Sequence, residues 1–142
     1  MNPKEIITRR VWVNSDRSPQ QVLDATCRSQ RTDKTVVGAM PRGRGGEVEV
    51  FFCRVDRPMT DDELKIEYET QGFVPAPPYS LGAVNEADRA FAARFPNFTH
   101  WKNAKGRWCF FSCFCQSGGY GARTYRSGDK WSGGWWIALI RK

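Results

Sequence analysis

The chain has 142 residues, of which 40% are hydrophobic and 13% aromatic, and it carries a formal net charge of +7. This length predicts a single domain over residues 1–142, and the apolar content is sufficient for a sizeable core. Because no run of about 18 apolar residues is present, we expect no membrane-spanning helix. The polar start of the chain predicts no signal peptide. We therefore expect a cytoplasmic protein whose five cysteines are reduced thiols.

The charge is unevenly distributed along the chain. Residues 1–46 carry +5, residues 47–100 carry −5 and residues 101–142 carry +7. If the two basic ends meet in one sheet, their charges would form one continuous basic face. Such a face attracts nucleic acid or an acidic protein surface. The simpler alternative is a solvated surface without a special partner.

The first elements have clear start signals. Alternating β-branched and aromatic residues predict a strand over residues 6–13. Ser18 and Gln21 form a capping-box pattern around Pro19, which suits the first position of a helix. A helix is therefore predicted to begin at Pro19.

The next segment has the pattern of a hairpin. Residues 35–40 and 47–55 are rich in β-branched and aromatic types and predict two strands. Between them, residues 41–46 contain three glycines and two arginines. The pattern predicts a β-hairpin with a long basic tip.

The middle of the chain is predicted to be helical. Thr60 and Glu63 form a second capping box, and the helix should end at Gln71, before Gly72. Residues 73–78 contain three prolines and predict an extended linker. Residues 80–95 carry one helical stripe, which a polar break divides into two short helices.

The last third is predicted to be β-rich. Strands are expected over residues 107–115, 120–126 and 135–140, with glycine-containing turns between them. Residues 135–140 are apolar at every position, so this strand should be covered on both faces. The predicted order is βαββααβββ, which indicates an α+β fold with a mostly antiparallel sheet packed against two or three helices.

The loop of residues 41–46 is the sharpest local candidate for a binding site. Arg42 and Arg44 alternate with glycines, which free backbone N–H groups to turn outward beside two guanidinium groups. This combination suits a phosphate or a carboxylate. The alternative is a flexible hairpin tip that needs glycine only for its turn.

The cysteines are candidates both for metal ligands and for catalytic nucleophiles. Cys109, Cys113 and Cys115 share the parity of one strand, and with His100 or Cys53 they would supply four zinc ligands. Their spacing inside an apolar strand favours core thiols, so we expect neither metal nor cofactor. A thiol paired with His100, the single histidine, is the enzymatic alternative.

Tryptophans and cations are concentrated together at the end of the chain. The six tryptophans are Trp12, Trp101, Trp108, Trp131, Trp135 and Trp136. Those that are accessible would stack on bases of single-stranded nucleic acid or anchor a protein interface. We expect three or four in the core and one or two accessible. The residues predicted to contact a partner or an anion are Arg42, Arg44, Arg107, Arg123, Arg126, Lys130 and Trp131.

Short motifs are spread over most of the chain from residue 10 onward. They are Met40-Pro41-Arg42-Gly43, residues 47–52, Asp61-Asp62-Glu63-Leu64 with Glu67-Tyr68, Pro78-Tyr79-Ser80-Leu81 with Ala83-Val84-Asn85, His100-Trp101-Lys102, Gly106-Arg107-Trp108-Cys109 and Trp135-Trp136-Ile137-Ala138. In these motifs the chain resembles a group of small uncharacterised proteins encoded by phages and prophages. The chain departs from that group at the cysteine-rich strand 109–115 and the glycine-rich turn 117–121.

The resemblance implies a phage accessory protein inside a bacterial cell, and it assigns no role to any residue. Small phage proteins of this kind often act by binding. The first hypothesis is therefore a non-enzymatic basic protein that binds a host protein or ribonucleoprotein, as an inhibitor of a defence complex in the manner of an anti-CRISPR protein. Direct binding of nucleic acid by a basic aromatic sheet face is the alternative, and a cysteine-dependent enzyme is the second alternative.

Overall fold

The computed structural model describes residues 1 and 5–142. In these residues eight strands form one mixed, mostly antiparallel sheet, and five helices pack around it. The predicted α+β class is confirmed. No helix in the described part of the chain has both the length and the apolar character needed to cross a membrane.

The elements and their pairing define the two edges of the sheet. In chain order the elements are β1 (Ile6–Val13), α1 (Pro19–Ala25), β2 (Ser29–Thr32), α2 (Lys34–Gly38), β3 (Gly46–Arg54), α3 (Asp61–Thr70), β4 (Phe73–Pro75), α4 (Pro78–Ala87), α5 (Phe91–Arg94), β5 (Asn97–Lys102), β6 (Trp108–Gln116), β7 (Gly119–Arg126) and β8 (Trp136–Arg141). The strand order is β1-β3-β8-β5-β6-β7-β2, and β4 pairs with the end of β8. The strands β1 and β2 therefore lie at opposite edges.

Both predicted capping boxes are present. The Ser18 hydroxyl accepts a hydrogen bond from the backbone N–H of Gln21 at 3.2 Å, and the Gln21 side chain accepts one from the N–H of Ser18 at 2.8 Å. Thr60 and Glu63 make the same exchange at 3.1 and 2.9 Å. Gly72, with φ +85°, follows the end of α3. The two capping boxes set the helix starts because they provide acceptors for backbone N–H groups that have no partner within the helix.

The predicted strand over residues 35–40 is wrong, and so is the hairpin that it was to form. The segment is the short helix α2, because the Asp33 carboxylate accepts hydrogen bonds from the N–H groups of Thr35 and Val36 at 2.9 and 3.3 Å. The β-branched residues Val36 and Val37 are buried, and this packing outweighs their strand preference. The strand β3 pairs instead with β1.

The remaining order also differs from the prediction. The described residues contain five helices instead of two or three, and β2, β4 and β5 were not predicted. The strand β4 lies inside the expected proline linker and pairs with β8. The helical segment does divide in two, as α4 and α5.

The sheet has a core on each face. On the first face, α1, α2, α4 and α5 cover side chains such as Phe52 and Phe111. On the second face, α3 and residues 131–135 pack over Phe98 and over Ile137 and Leu139 of β8. Ala138 joins the first core, whereas its neighbours Ile137 and Leu139 join the second. The uniformly apolar strand is therefore buried on both faces, as predicted.

Candidate functional site

Beyond α3, the second face of the sheet presents aromatic and basic side chains. Phe110, Ser112 and Phe114 of β6 share one parity, and they lie opposite Tyr125, Arg123 and Gly121 of β7. Because side chains of one parity point to one face of a sheet, these residues form a common surface. Arg123 and Tyr125 are exposed, and Phe110 and Phe114 are half-buried.

Basic side chains gather at the β7 end of this surface. The strand β2 runs parallel to β7 and places Arg31 directly opposite Arg123. These two arginines line a surface hollow of about 480 Å³ together with Arg126 and Lys130. We call Arg31, Arg123, Arg126 and Lys130 the cationic cluster. Within residues 1 and 5–142, none of the four forms an ion pair with a carboxylate.

Five aromatic rings run side by side along the same surface, and we call them the aromatic row. In order, they are Phe114, Trp135, Trp131, Phe110 and Tyr125, with successive ring centroids 6.4, 5.4, 5.3 and 6.5 Å apart. All but Tyr125 line a groove of about 400 Å³, whose lining also includes Ser112 and Arg123. We call it the aromatic groove. The Arg123 guanidinium carbon lies 5.2 Å from the centroid of the Phe114 ring, so the two clusters adjoin.

A buried carboxylate holds one side of this surface in place. One oxygen of Asp61, the first residue of α3, accepts hydrogen bonds from His100 Nδ1 at 2.6 Å and from the Trp131 indole at 3.0 Å. The other oxygen accepts one from the Ser127 hydroxyl. The Trp131 ring also stacks on Phe98, with centroids 3.6 Å apart. Ser127 and Trp131 thereby hold both ends of the segment that carries Lys130, and the Trp135 carbonyl accepts a hydrogen bond from the Val55 N–H at 2.7 Å.

The protonation states of this network follow from its geometry. Burial lowers the pKa of His100, and the hydrogen bond to Asp61 only partly opposes this effect. Burial alone would raise the pKa of Asp61, but hydrogen bonds from His100 and its other partners outweigh it, and the pKa is lowered. Burial raises the pKa of Tyr68, which donates to His100 Nε2 at 3.0 Å. The network therefore consists of a carboxylate, a neutral imidazole with its proton on Nδ1, and a neutral phenol.

The fold does not bring His100 into contact with Cys109 or Cys113, as the proposed cysteine-dependent enzyme would require. His100 lies on the second face of the sheet, while Cys109 and Cys113 point into the first core. Burial raises the pKa of Cys113 to about 12 and also raises that of Cys109, so neither is an activated thiol. Cys115 is exposed at the end of β6. Among the described residues, no three potential metal ligands come together.

Four of the predicted site residues come together and three do not. Arg123, Arg126, Lys130 and Trp131 line the same hollow. Trp131 is only 9% exposed and shapes the surface from beneath. Arg107 lies in a separate hollow of about 310 Å³, which also contains Arg126.

The glycine-rich loop lies at the other side of the sheet. The Arg42 guanidinium donates to the backbone carbonyls of Ser15 and Arg17 at 2.7 and 2.8 Å, just beyond the end of β1. Arg44 is exposed in the same loop. The strands β1 and β7 are five strand spacings apart, so their backbones are separated by about 24 Å. Of the first basic segment, residues 1–46, Arg31 joins the cations of the last segment, whereas the loop of Arg42 and Arg44 lies apart from them.

The structure adds Arg31 to the surface residues predicted from the sequence, and it shows which tryptophans are exposed. Arg31 was missed because β2 has only four residues and is polar, so its alternation gives a weak signal. Of the tryptophans, Trp101 and Trp131 are buried, three are half-buried and Trp12 is 74% exposed. Trp12 lies on β1, away from the aromatic row.

Comparisons of the chain with protein-family models, with curated proteins and with solved structures find no match.

The Asp61 network predicts a large difference between two adjacent carboxylates. Replacement of Asp61 by alanine should lower the free energy of unfolding by roughly 3 kcal/mol or more, because His100 and Trp131 lose their buried acceptor. The control is Asp62→Ala. Asp62 is exposed and accepts only from the Trp108 indole, at 2.9 Å, so the loss should be about 1 kcal/mol or less. Urea denaturation measures both, and equal losses would show that the network does not stabilise the fold.

The single histidine provides a test of the protonation states. The folded pKa of His100 lies below the ordinary value of 6.5. The stability that comes from the neutral ring is therefore present above pH 6.5 and is lost as the pH falls through the folded pKa. In an NMR titration of the native protein, the imidazole Cε1 proton should not show a midpoint at 6.5 or above. A midpoint there would contradict the assigned network.

Proposed function

We propose that the protein is a non-enzymatic binding protein that docks on an anionic macromolecular partner through the cationic cluster and the aromatic row. A ribonucleoprotein of a bacterial host is the partner that we favour. One observation carries the proposal: Arg31 and Arg123 lie directly opposite each other on paired strands, with no carboxylate in an ion pair to either among the described residues.

Two like charges in this position destabilise the free protein. Neighbouring strands lie about 4.8 Å apart, so side chains at paired positions on one face are close, and like charges there repel. Arg126 and Lys130 add to the same field, while Asp129 is the one carboxylate lining the hollow. An anionic partner would relieve the repulsion, and the field would increase its rate of association.

The resemblance to small phage and prophage proteins supports a cellular setting for this docking. It favours an accessory protein acting in the cytoplasm of a bacterial host. A chain of 142 residues can inhibit a larger complex by covering one of its surfaces. Inhibition of a host defence complex, of the anti-CRISPR kind, is the form of the proposal that fits this setting.

An acidic protein surface is the second candidate partner. It is favoured by the exposed Tyr125 and the half-buried Trp135 beside the cations, because aromatic side chains next to arginine are common anchors of protein interfaces. Treatment of a captured complex with nuclease separates the two candidates. Capture that depends on RNA supports the ribonucleoprotein, and capture that survives nuclease supports the acidic protein.

Charge reversal on the face tests the proposal. Tagged protein is used to capture partners from bacterial lysate, and Arg31→Glu with Arg123→Glu should reduce capture at least roughly tenfold, with a shallower salt dependence. The control is Arg44→Glu with Arg94→Glu, which changes the net charge equally at two exposed positions outside the cluster. Two results would contradict the proposal: both double variants capture the same amount of partner, or neither double variant loses any captured partner.

A further inference from the structure

We infer that the surface of β2, β6 and β7 takes a single strand of nucleic acid, with one unstacked base in the aromatic groove and the phosphates along the cationic cluster. This inference rests on the proposed function and names the part of the ribonucleoprotein that the protein would contact. The shape of the groove, the fixation of its walls and the arrangement of the cations around it favour this ligand.

The aromatic groove has the size and lining that a base requires. Its volume is about 400 Å³, within the range of about 300–1,000 Å³ for sites of small flat ligands. Phe110, Phe114 and Trp135 are half-buried, so part of each ring remains accessible to a ligand. Ser112 and Gln116 contribute polar atoms beside four aromatic side chains and the cation of Arg123. Aromatic walls with a few polar groups are the usual setting for a stacked base.

The position of Phe114 is fixed from the neighbouring strand. Its register partner is Gly121, and a Cβ atom at position 121 would lie only 2.6 Å from Phe114 Cε2. The ring therefore lies against the bare backbone of β7, which only glycine allows. The Arg123 guanidinium, 5.2 Å from the ring centroid, contacts it as well. A wall that is already ordered loses little conformational entropy when a ligand stacks on it.

Hollows in the surface form a continuous path past the groove, with Arg31 and Arg123 along it and Arg126 and Lys130 at one end. Three adjoining hollows, of about 240, 400 and 480 Å³, share Arg123 as a lining residue. They extend from the glycine-rich turn before β7 to Lys130 beyond its end. A strand of eight residues spans about 26 Å. This length suits a short single-strand site of about four nucleotides or more.

The concave, aromatic character of the groove distinguishes a single strand from a duplex. In a duplex the bases are stacked and paired, so their flat faces cannot reach half-buried rings without leaving the helix. An unstacked base enters without this cost. The cations alone would bind either form, because phosphate contacts carry no requirement for accessible bases. We therefore expect the protein to prefer single-stranded over duplex nucleic acid, a preference that charge by itself does not produce.

Binding of defined oligonucleotides to the full chain tests the inference. Fluorescence anisotropy compares an oligothymidylate of about ten nucleotides with an abasic strand of the same length and with a duplex. The oligothymidylate should bind roughly tenfold or more tightly than the abasic strand, because stacking is lost in the latter. Phe114→Leu should remove this difference, because the base loses the ring on which it stacks. Arg123→Gln should weaken both and reduce the salt slope by about one.

The control is Trp12→Leu, since Trp12 is an exposed aromatic residue on the opposite edge of the sheet and its replacement should change neither affinity. Quenching of tryptophan fluorescence by the oligothymidylate in the Trp12→Leu protein provides a second readout, because Trp135 lines the groove. Equal affinity for the thymidylate and abasic strands overturns the inference and leaves the docking proposal standing. Absence of binding to either strand at low salt also overturns it, and lysate capture then decides the docking proposal separately.

Discussion

The carboxylate of Asp61 is the constraint on which the candidate face depends. It connects the start of α3 to β5 through His100 and to the segment before β8 through Ser127 and Trp131. A buried carboxylate is stable only when such donors surround it, and the donors are stable only when it is charged. The network therefore fixes residues 127–131, which include Lys130, against the sheet, and Trp135 is held separately by its backbone hydrogen bond with Val55. One wall of the aromatic groove is set in this way.

The same fold leaves the cationic cluster with little compensating negative charge. The carboxylate of Asp61 is buried, and Glu47 and Glu49 lie within ion-pair distance of Arg10 near the opposite edge. The parallel pairing of β2 with β7 leaves Arg31 and Arg123 side by side, away from Glu47 and Glu49. The result is a positive field over an aromatic surface. This combination suits a ligand with both phosphates and flat rings, which is why nucleic acid fits it better than a simple anion does.

Local signals made part of this structure predictable, and long-range pairing determined the rest. The capping boxes at Ser18 and Thr60 and the alternation of β6 and β7 depend on neighbouring residues, and sequence patterns identify them. Arg123, Arg126 and Lys130 were predicted as contact residues because cations and aromatic residues are concentrated at the end of the chain. The contribution of Arg31 depends on a parallel pairing with residues about 90 positions away. Asp61 and His100 are 39 positions apart, so the sequence indicated only a helix-start acid and an unexplained histidine.

The most direct test of the account is a map of backbone amide shifts by NMR during titration with an oligothymidylate. The account predicts that the perturbed amides cluster in β2, β6, β7 and residues 127–135, with Arg123 and Trp135 among the largest changes. The loop around Arg42 and the free edge of β1 should remain unperturbed, because they lie at the far side of the sheet. Perturbations centred on Arg42, Arg44 or Trp12 would contradict the assignment of the binding face.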